Sequence, residues 1–156
     1  MTSTPSDRVV AYRHPVEGFA LPLPAGGARA VDPRPDVSLI ASEPEHAGRF
    51  RANVVVTIER LAAGVDVDAW QAGADELLDR ALHGYLLLDR ERLHVRGRVV
   101  IRRLAHHARE ETGAITMEQW TTVHDGRGFT LTASAGTLEY DALADAFVGI
   151  ADGFRP

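Results

Sequence analysis

An α+β domain, an antiparallel sheet flanked by helices, is what three features of this sequence predict. Residues 53–61 are dense in β-branched side chains, with Val54, Val56 and Ile58 alternating against Val55 and Thr57. Asp125-Gly126 stands between two alternating segments, as the turn of a β-hairpin does. Residues 66–83 and 138–154 carry apolar positions at helical spacing. The resulting order is strands, helix, four strands, helix, whereas a doubly wound parallel sheet needs strands alternating with crossover helices.

Taken in order, residues 1–7 read as a disordered lead and residues 8–156 as a single domain. Arg8 to Arg13 and Phe19 to Leu23 are expected to pair as short antiparallel strands through the turn-rich His14-Pro15-Val16-Glu17-Gly18. The Pro- and Gly-rich stretch from Pro22 to Pro35 reads as loop. Asp36 to Ser42 and Asn53 to Leu61 are the next strands, separated by a polar loop over Glu43–Arg49. Apolar residues on both faces of the second place it centrally in the sheet.

Asp66 to His83 is expected as one helix with Trp70, Ala74, Leu77, Leu78, Ala81 and Leu82 in its stripe. Asp66 or Asp68 caps it, and Gly84 ends it. Tyr85 to Asp89 and Leu93 to His107 then read as strands around a charged turn, Arg90-Glu91-Arg92. Ala114 to His124 and Phe129 to Ala135 form the hairpin. Leu138 to Phe154 closes the domain as a helix capped by Thr137, with Tyr140, Leu143, Ala144, Phe147, Ile150, Ala151 and Phe154 inward.

Composition narrows the function classes. The 156 residues are enough for one domain with a real core, and a net charge of -5 argues against binding to a phosphate backbone as the main role. There is no Cys, which excludes disulfides, thiolate-held metals and a thiol nucleophile. All 17 basic residues are Arg, so a P-loop lysine, a Schiff-base lysine and a pyridoxal-phosphate anchor are absent too. The opening lacks a basic n-region, and the apolar stretch from Phe19 to Pro24 is broken by prolines. No run has the length of a membrane span. A cytoplasmic protein is expected.

Motifs for chemistry are sparse. The serines at 3, 6, 38, 42 and 134 sit in no Gly-x-Ser-x-Gly elbow, and Ala133-Ser134-Ala135-Gly136 reads as the turn ending a strand. His106 and His107, followed by Glu110 and Glu111, are adjacent on a strand and therefore point to opposite faces, so one ion cannot take both. His14, His46, His83 and His124 fall at turns or element ends, where exposure is the simple expectation. Asp66-x-Asp68 is explained by helix capping, and the 22 acidic residues are scattered rather than paired. No cofactor is expected.

One surface stands out as a binding candidate. On the strand from Leu93, period two puts Arg96, Arg98 and Arg102 on one face with His94 and His106 at its ends, and Val95, Val99 and Ile101 on the other. Such a stripe meets an acidic protein segment, a carboxylate or a phosphate. Its structural counterpart is a solvated strand whose charges pair locally and discourage edge-to-edge aggregation. Trp70, Trp120 and Phe129 are expected in the core, with the face taken by Trp120 open.

The chain as a whole resembles the PsbP-like fold group, in particular its bacterial DcrB and LpqN-type domains. The resemblance rests on Phe19 with Pro22-Leu23-Pro24, Phe50-Arg51-Ala52-Asn53-Val54-Val55-Val56, Leu93-x-x-x-Gly97, Gly128-Phe129-Thr130-Leu131-Thr132 and a closing helix ending Gly153-Phe154. It implies an α/β/α sandwich around an antiparallel sheet, in a group of envelope lipoproteins, photosystem extrinsic subunits, Ran-binding factors and chaperones of type VI secretion effectors. The group supplies no catalytic residues. The lipid-accepting Cys of LpqN-type members is missing, and so is the Trp often found near Gly26-Gly27.

The leading expectation is accordingly a non-enzymatic adaptor or chaperone-like domain, partnered by another protein and linked through the resemblance to a secretion system. A binder of small ligands or lipids, with a pocket between sheet and helices, is the alternative. A metal-dependent enzyme would require His94, His106 or His107 to converge with carboxylates from other strands.

Overall fold

The computed structural model describes residues 8–45 and 49–156. The lead expected over residues 1–7, and His46 in the expected 43–49 loop, lie outside the described residues. The elements are β1 (Val9–Arg13), β2 (Ala20–Pro24), β3 (Ala28–Arg34), β4 (Val37–Ser42), β5 (Asn53–Arg60), α1 (Val67–Gln71), α2 (Ala74–Ala81), β6 (Leu86–Val95), β7 (Arg98–Arg109), β8 (Gly113–His124), β9 (Arg127–Gly136) and α3 (Tyr140–Gly153). Strands β3 to β9 form one antiparallel sheet in the order β3-β4-β5-β9-β8-β7-β6, and β1 pairs with β2 beside it. No helix among the described residues is long and apolar enough to cross a membrane.

Period two builds the main core. Val54, Val56 and Ile58 of β5 stand opposite Ala133, Leu131 and Phe129 of β9. This face meets Phe19, Leu21 and Leu23 from the β1–β2 pair and Phe147 and Ile150 from α3. Each such side chain, fully buried, stabilises the fold by about 1.5–3 kcal/mol. The other face is covered by the short α1 and α2, completing three layers. There the Trp70 ring lies flat on β9 at Gly128, where a Cβ would come within 2.6 Å of it, and its indole N–H donates to Glu59 at 3.1 Å. Glycine at 128 is what admits the indole.

The expected hairpin is present, with Asp125 and Gly126 both at positive φ (49° and 71°), the geometry of a type I′ turn. Several expectations are corrected. The first concerns Pro22–Pro35, read as loop: Ala28–Arg34 forms an edge strand on β4, and Pro33 is tolerated where the register shifts between Val31 and Arg34. The second is the 66–83 helix, which breaks at Ala72-Gly73; α1 buries Val67 and Gln71, α2 buries nothing fully, and Leu77 is 65% exposed. Asp66 does cap α1, accepting from the Ala69 N–H at 2.8 Å.

The third correction is the turn at Arg90-Glu91-Arg92, through which β6 runs on to Val95, reversing only at Arg96-Gly97. The charged triplet is edge strand rather than turn because each side chain finds an opposite charge across a layer or a strand: Arg90 with Asp75, Glu91 with Arg102, and Arg92 with Asp68. The fourth is the cap of the last helix. α3 begins at Tyr140 after Glu139, and the Thr137 hydroxyl instead accepts from Thr116 on β8 at 3.1 Å. The Ala133–Gly136 segment, read as a turn, is strand to its last residue.

His14, expected at the surface, is buried. Its Nδ1 accepts from the backbone N–H groups of Val16 and Glu17 at 3.2 and 3.0 Å, its Nε2 meets Asp32 at 3.0 Å, and its ring stacks on Phe19 with centroids 4.9 Å apart. A single imidazole thus organises the β1–β2 turn and fastens it to Asp32, which β3 holds at φ 47°. Replacing His14 by Ala removes three hydrogen bonds and a stacked ring, and is expected to lower the unfolding free energy by about 2–3 kcal/mol. Urea denaturation measures this directly.

Candidate functional site

The three arginines of the expected stripe have separate fates. Arg96 lies in the β6–β7 turn rather than on a strand, at φ 51° ahead of Gly97 at φ 75°, and donates to the Asp152 carbonyl near the end of α3 at 3.3 Å. Arg98 and Arg102 do share the α3-facing side of β7. Because the chain reverses at 96–97, Val95 joins Arg98 on that side and His94 joins Val99 on the other, the opposite of the single-strand reading.

Arg102 is unavailable to a partner. Its Nε binds Glu118 of β8, and its terminal nitrogen reaches Asp89 and Glu91 of β6, both at 3.1 Å. Glu118 is 1% exposed and also accepts from the Tyr140 hydroxyl at 2.6 Å. Burial works against the Arg102 charge, but Glu118 and Glu91 more than offset it and hold the guanidinium above its ordinary pKa. Burial, then the Glu118 hydrogen bond, pushes the Tyr140 hydroxyl well above its usual range. The cluster ties β6, β7 and β8 to the start of α3.

Arg98 remains. It is half-buried and has no carboxylate partner among the described residues. It borders a slot between the β6–β7 hairpin and the end of α3, whose apolar walls include Leu93, Val95, Val100, Trp120 and Phe154. The slot holds about 70 Å³, room for about two waters or one apolar side chain. Trp120, left open by the sequence, therefore faces α3 and lines the slot. The far wall is fixed by the return of the chain after α3: the Phe154 N–H bonds to Ala151, and Arg155 and Ala20 exchange two backbone hydrogen bonds of 2.8 Å. An apolar anchor and an anion could be recognised side by side here, since the cation and the slot are adjacent and already in place.

By sequence, the chain matches no family model and no curated protein. By structure it is similar to the cyanobacterial PsbP protein CyanoP of Synechocystis sp. PCC 6803, with a TM-score of 0.72 and 15% identity over 98% of this chain and 94% of that one. The fold is PsbP-like. The chain is likewise similar to LpqN of Mycobacterium tuberculosis, described as involved in cell envelope biogenesis (TM-score 0.69, 16% identity, 96% of this chain and 91% of that one). It is also similar to the Ran-binding protein Mog1p of Saccharomyces cerevisiae (TM-score 0.63, 11% identity, 95% of each).

The opposite face of this PsbP-like sheet holds a charge that sequence reading missed. Arg103 is fully buried; its Nε donates to Asp75 at 2.8 Å, and its terminal nitrogens donate to the Gln71 side chain and to the Gln71 carbonyl. Tyr85 also donates to Asp75, at 3.4 Å. The network pins α1 and α2 to β7. Its signal was an arginine in register with the apolar positions Ile101 and Ala105.

His106 and His107 take opposite faces as expected, and among the described residues no three His, Asp or Glu side chains gather as a metal site would require. Asp68 pairs with Arg92 at 3.2 Å. His107 is buried beside Ile115 rather than solvated at a strand end, and burial, with Arg109 nearby, holds its pKa below the usual value. The unfolded chain therefore takes up this proton first, so the contribution is present above about pH 6.5 and is lost as pH falls through the depressed folded value. Thermal melts at pH 7.5 and pH 5 should show a smaller acid-induced drop in Tm for His107→Asn than for the parent.

Proposed function

We propose that this domain is a non-catalytic protein-binding module of adaptor or chaperone type. It holds a segment of another protein with one apolar side chain in the slot and a neighbouring carboxylate on Arg98. The observation that carries the reading is Arg98 itself, a half-buried guanidinium at an apolar slot without a carboxylate partner among the described residues. A cation left in that state loses hydration without a protein anion to offset it, whereas an incoming carboxylate forms a charge-assisted, two-point contact. Arg96 supports the same reading. A non-Gly residue at the first position of a type I′ turn is strained relative to Asn or Gly, yet the arginine there adds positive charge beside the slot.

The similarity in fold to a Ran-binding protein is consistent with a protein partner. The test compares tagged parent with Arg96→Asn/Arg98→Gln, expressed in the native cells at equal levels and purified with whatever co-elutes. A stoichiometric partner retained by the parent and lost from the variant supports the reading, and its identity shows whether it is a secreted protein. A partner retained equally by both would move binding elsewhere. The double variant should fold as stably as the parent, to within about 0.5 kcal/mol, because neither arginine holds a buried carboxylate.

A further inference from the structure

At the other end of α3 lies a larger cavity, independent of the slot. It opens between the first half of α3 and the β3–β4 hairpin, and its apolar wall includes Pro24, Ala41, Val54, Leu143, Ala146 and Phe147. Its volume of about 410 Å³ falls within the range of about 300–1,000 Å³ typical of small-molecule sites.

The polar residues that line this cleft are Arg29 of β3, Ser42 and Glu43 at the end of β4, and Asn53 at the start of β5. Arg29 is placed by the Pro24 carbonyl, which accepts from one terminal nitrogen at 3.1 Å, and by the Tyr12 ring, 5.8 Å below its guanidinium carbon. That leaves most of its five donors for a ligand. The Glu43 carboxylate is turned inward, where Oε1 accepts from the Ala52 N–H at 2.9 Å. Arg51, outside the cleft lining, donates twice to the Glu43 carbonyl, at 3.1 and 2.9 Å. The Glu43 carboxylate offsets the charge of Arg51, and Arg29 is left as the cation of the cleft lining.

We propose that this cleft is a binding site for a single-chain anionic amphiphile, its tail along Leu143, Ala146 and Phe147 and its carboxylate or phosphate head on Arg29. The assignment does not depend on the slot at the opposite end of α3. Apolar walls supply the affinity for a chain, and one preplaced guanidinium selects the charge of its head. Gly27, at φ 92°, keeps the rim close: a Cβ there would lie 2.0 Å from the Ser42 carbonyl oxygen. The β3–β4 wall is thus fixed by a contact that only glycine allows.

The test is calorimetric titration of the full chain with dodecanoate, dodecyl phosphate and dodecanol, each below its aggregation concentration. Both anions are expected to bind at least tenfold more tightly than the alcohol, and the tighter of the two identifies the head group. Arg29→Gln should weaken both anions at least fivefold without affecting dodecanol. Ala146→Trp, at an exposed helix position bordering the cleft, should fill it and abolish binding while circular dichroism stays unchanged. Arg98→Gln should bind the anions as the parent does, which separates this site from the slot. Equal affinity for alcohol and anions, or undiminished binding by the folded Ala146→Trp protein, would overturn the proposal.

Discussion

Replacing Arg102 by Met is expected to lower the unfolding free energy by about 3–5 kcal/mol, the loss characteristic of a buried ion pair deprived of one partner. The size follows from what is left behind. Glu118 is 1% exposed and would keep only the Tyr140 hydroxyl, whereas Asp89 and Glu91, about half exposed, would return to water at little cost. The companion variant Arg102→Met/Glu118→Gln should recover most of the loss, since an amide needs no counter-charge and can still accept from Tyr140. A double-mutant cycle in urea gives the coupling directly. Additive effects of the two changes would show that the pair does not act as a unit.

The second large effect lies on the other face. Asp75→Ala is expected to cost about 3–5 kcal/mol, because it strands the Arg103 guanidinium, fully buried, against the Gln71 amide and carbonyl alone. Removing the whole polar set, in Arg103→Met/Gln71→Leu/Asp75→Ala, should leave a protein much nearer the parent, since similar volumes of apolar side chain replace a network that had to be desolvated. Asp75 is 37% exposed in its side chain, so the converse single change at Arg103 leaves an acid that water can reach and a buried Gln71 that it cannot. Equilibrium denaturation of the three proteins orders them: parent and triple variant close together, Asp75→Ala well below.

Much of the fold was legible where local chemistry and tertiary environment agree. Strand β5 is apolar on both faces because both are covered, and Asp125-Gly126 marks the β8–β9 hairpin because the two residues must take positive φ. Legibility failed where distant partners rewrite a local signal. Arg90-Glu91-Arg92 looks like a turn until Asp75, Arg102 and Asp68 are brought beside it, and those partners come from helices and a strand elsewhere in the chain. Ala28–Arg34 has little strand propensity of its own and is ordered by pairing with β4. His14 gave no hint of burial, for its ring is claimed by two backbone N–H groups that exist as donors only once the turn has closed.

The candidate site shows the same division. Three arginines at even spacings suggested one surface, and the strand reversal at Arg96-Gly97 with the pairing of Arg102 to Glu118 reduced it to Arg98 with Arg96 beside it. The apolar slot next to Arg98 could not be read from sequence, because Leu93, Val100, Trp120 and Phe154 come from three strands and the segment after α3. On the proposed reading the strand has two roles: Arg102 holds the fold, and Arg98 meets a partner.

That division is tested most directly by photo-cross-linking in the native cells, with a benzophenone amino acid placed at Val95 in the slot wall and, as control, at Glu76 on the exposed side of α2. Cross-links from position 95 to one protein, mapped to a segment in which an apolar residue neighbours an acid and lost when Arg98→Gln is added, are the predicted result. Equal labelling from both positions, or labelling at 95 that is indifferent to Arg98, would contradict the account.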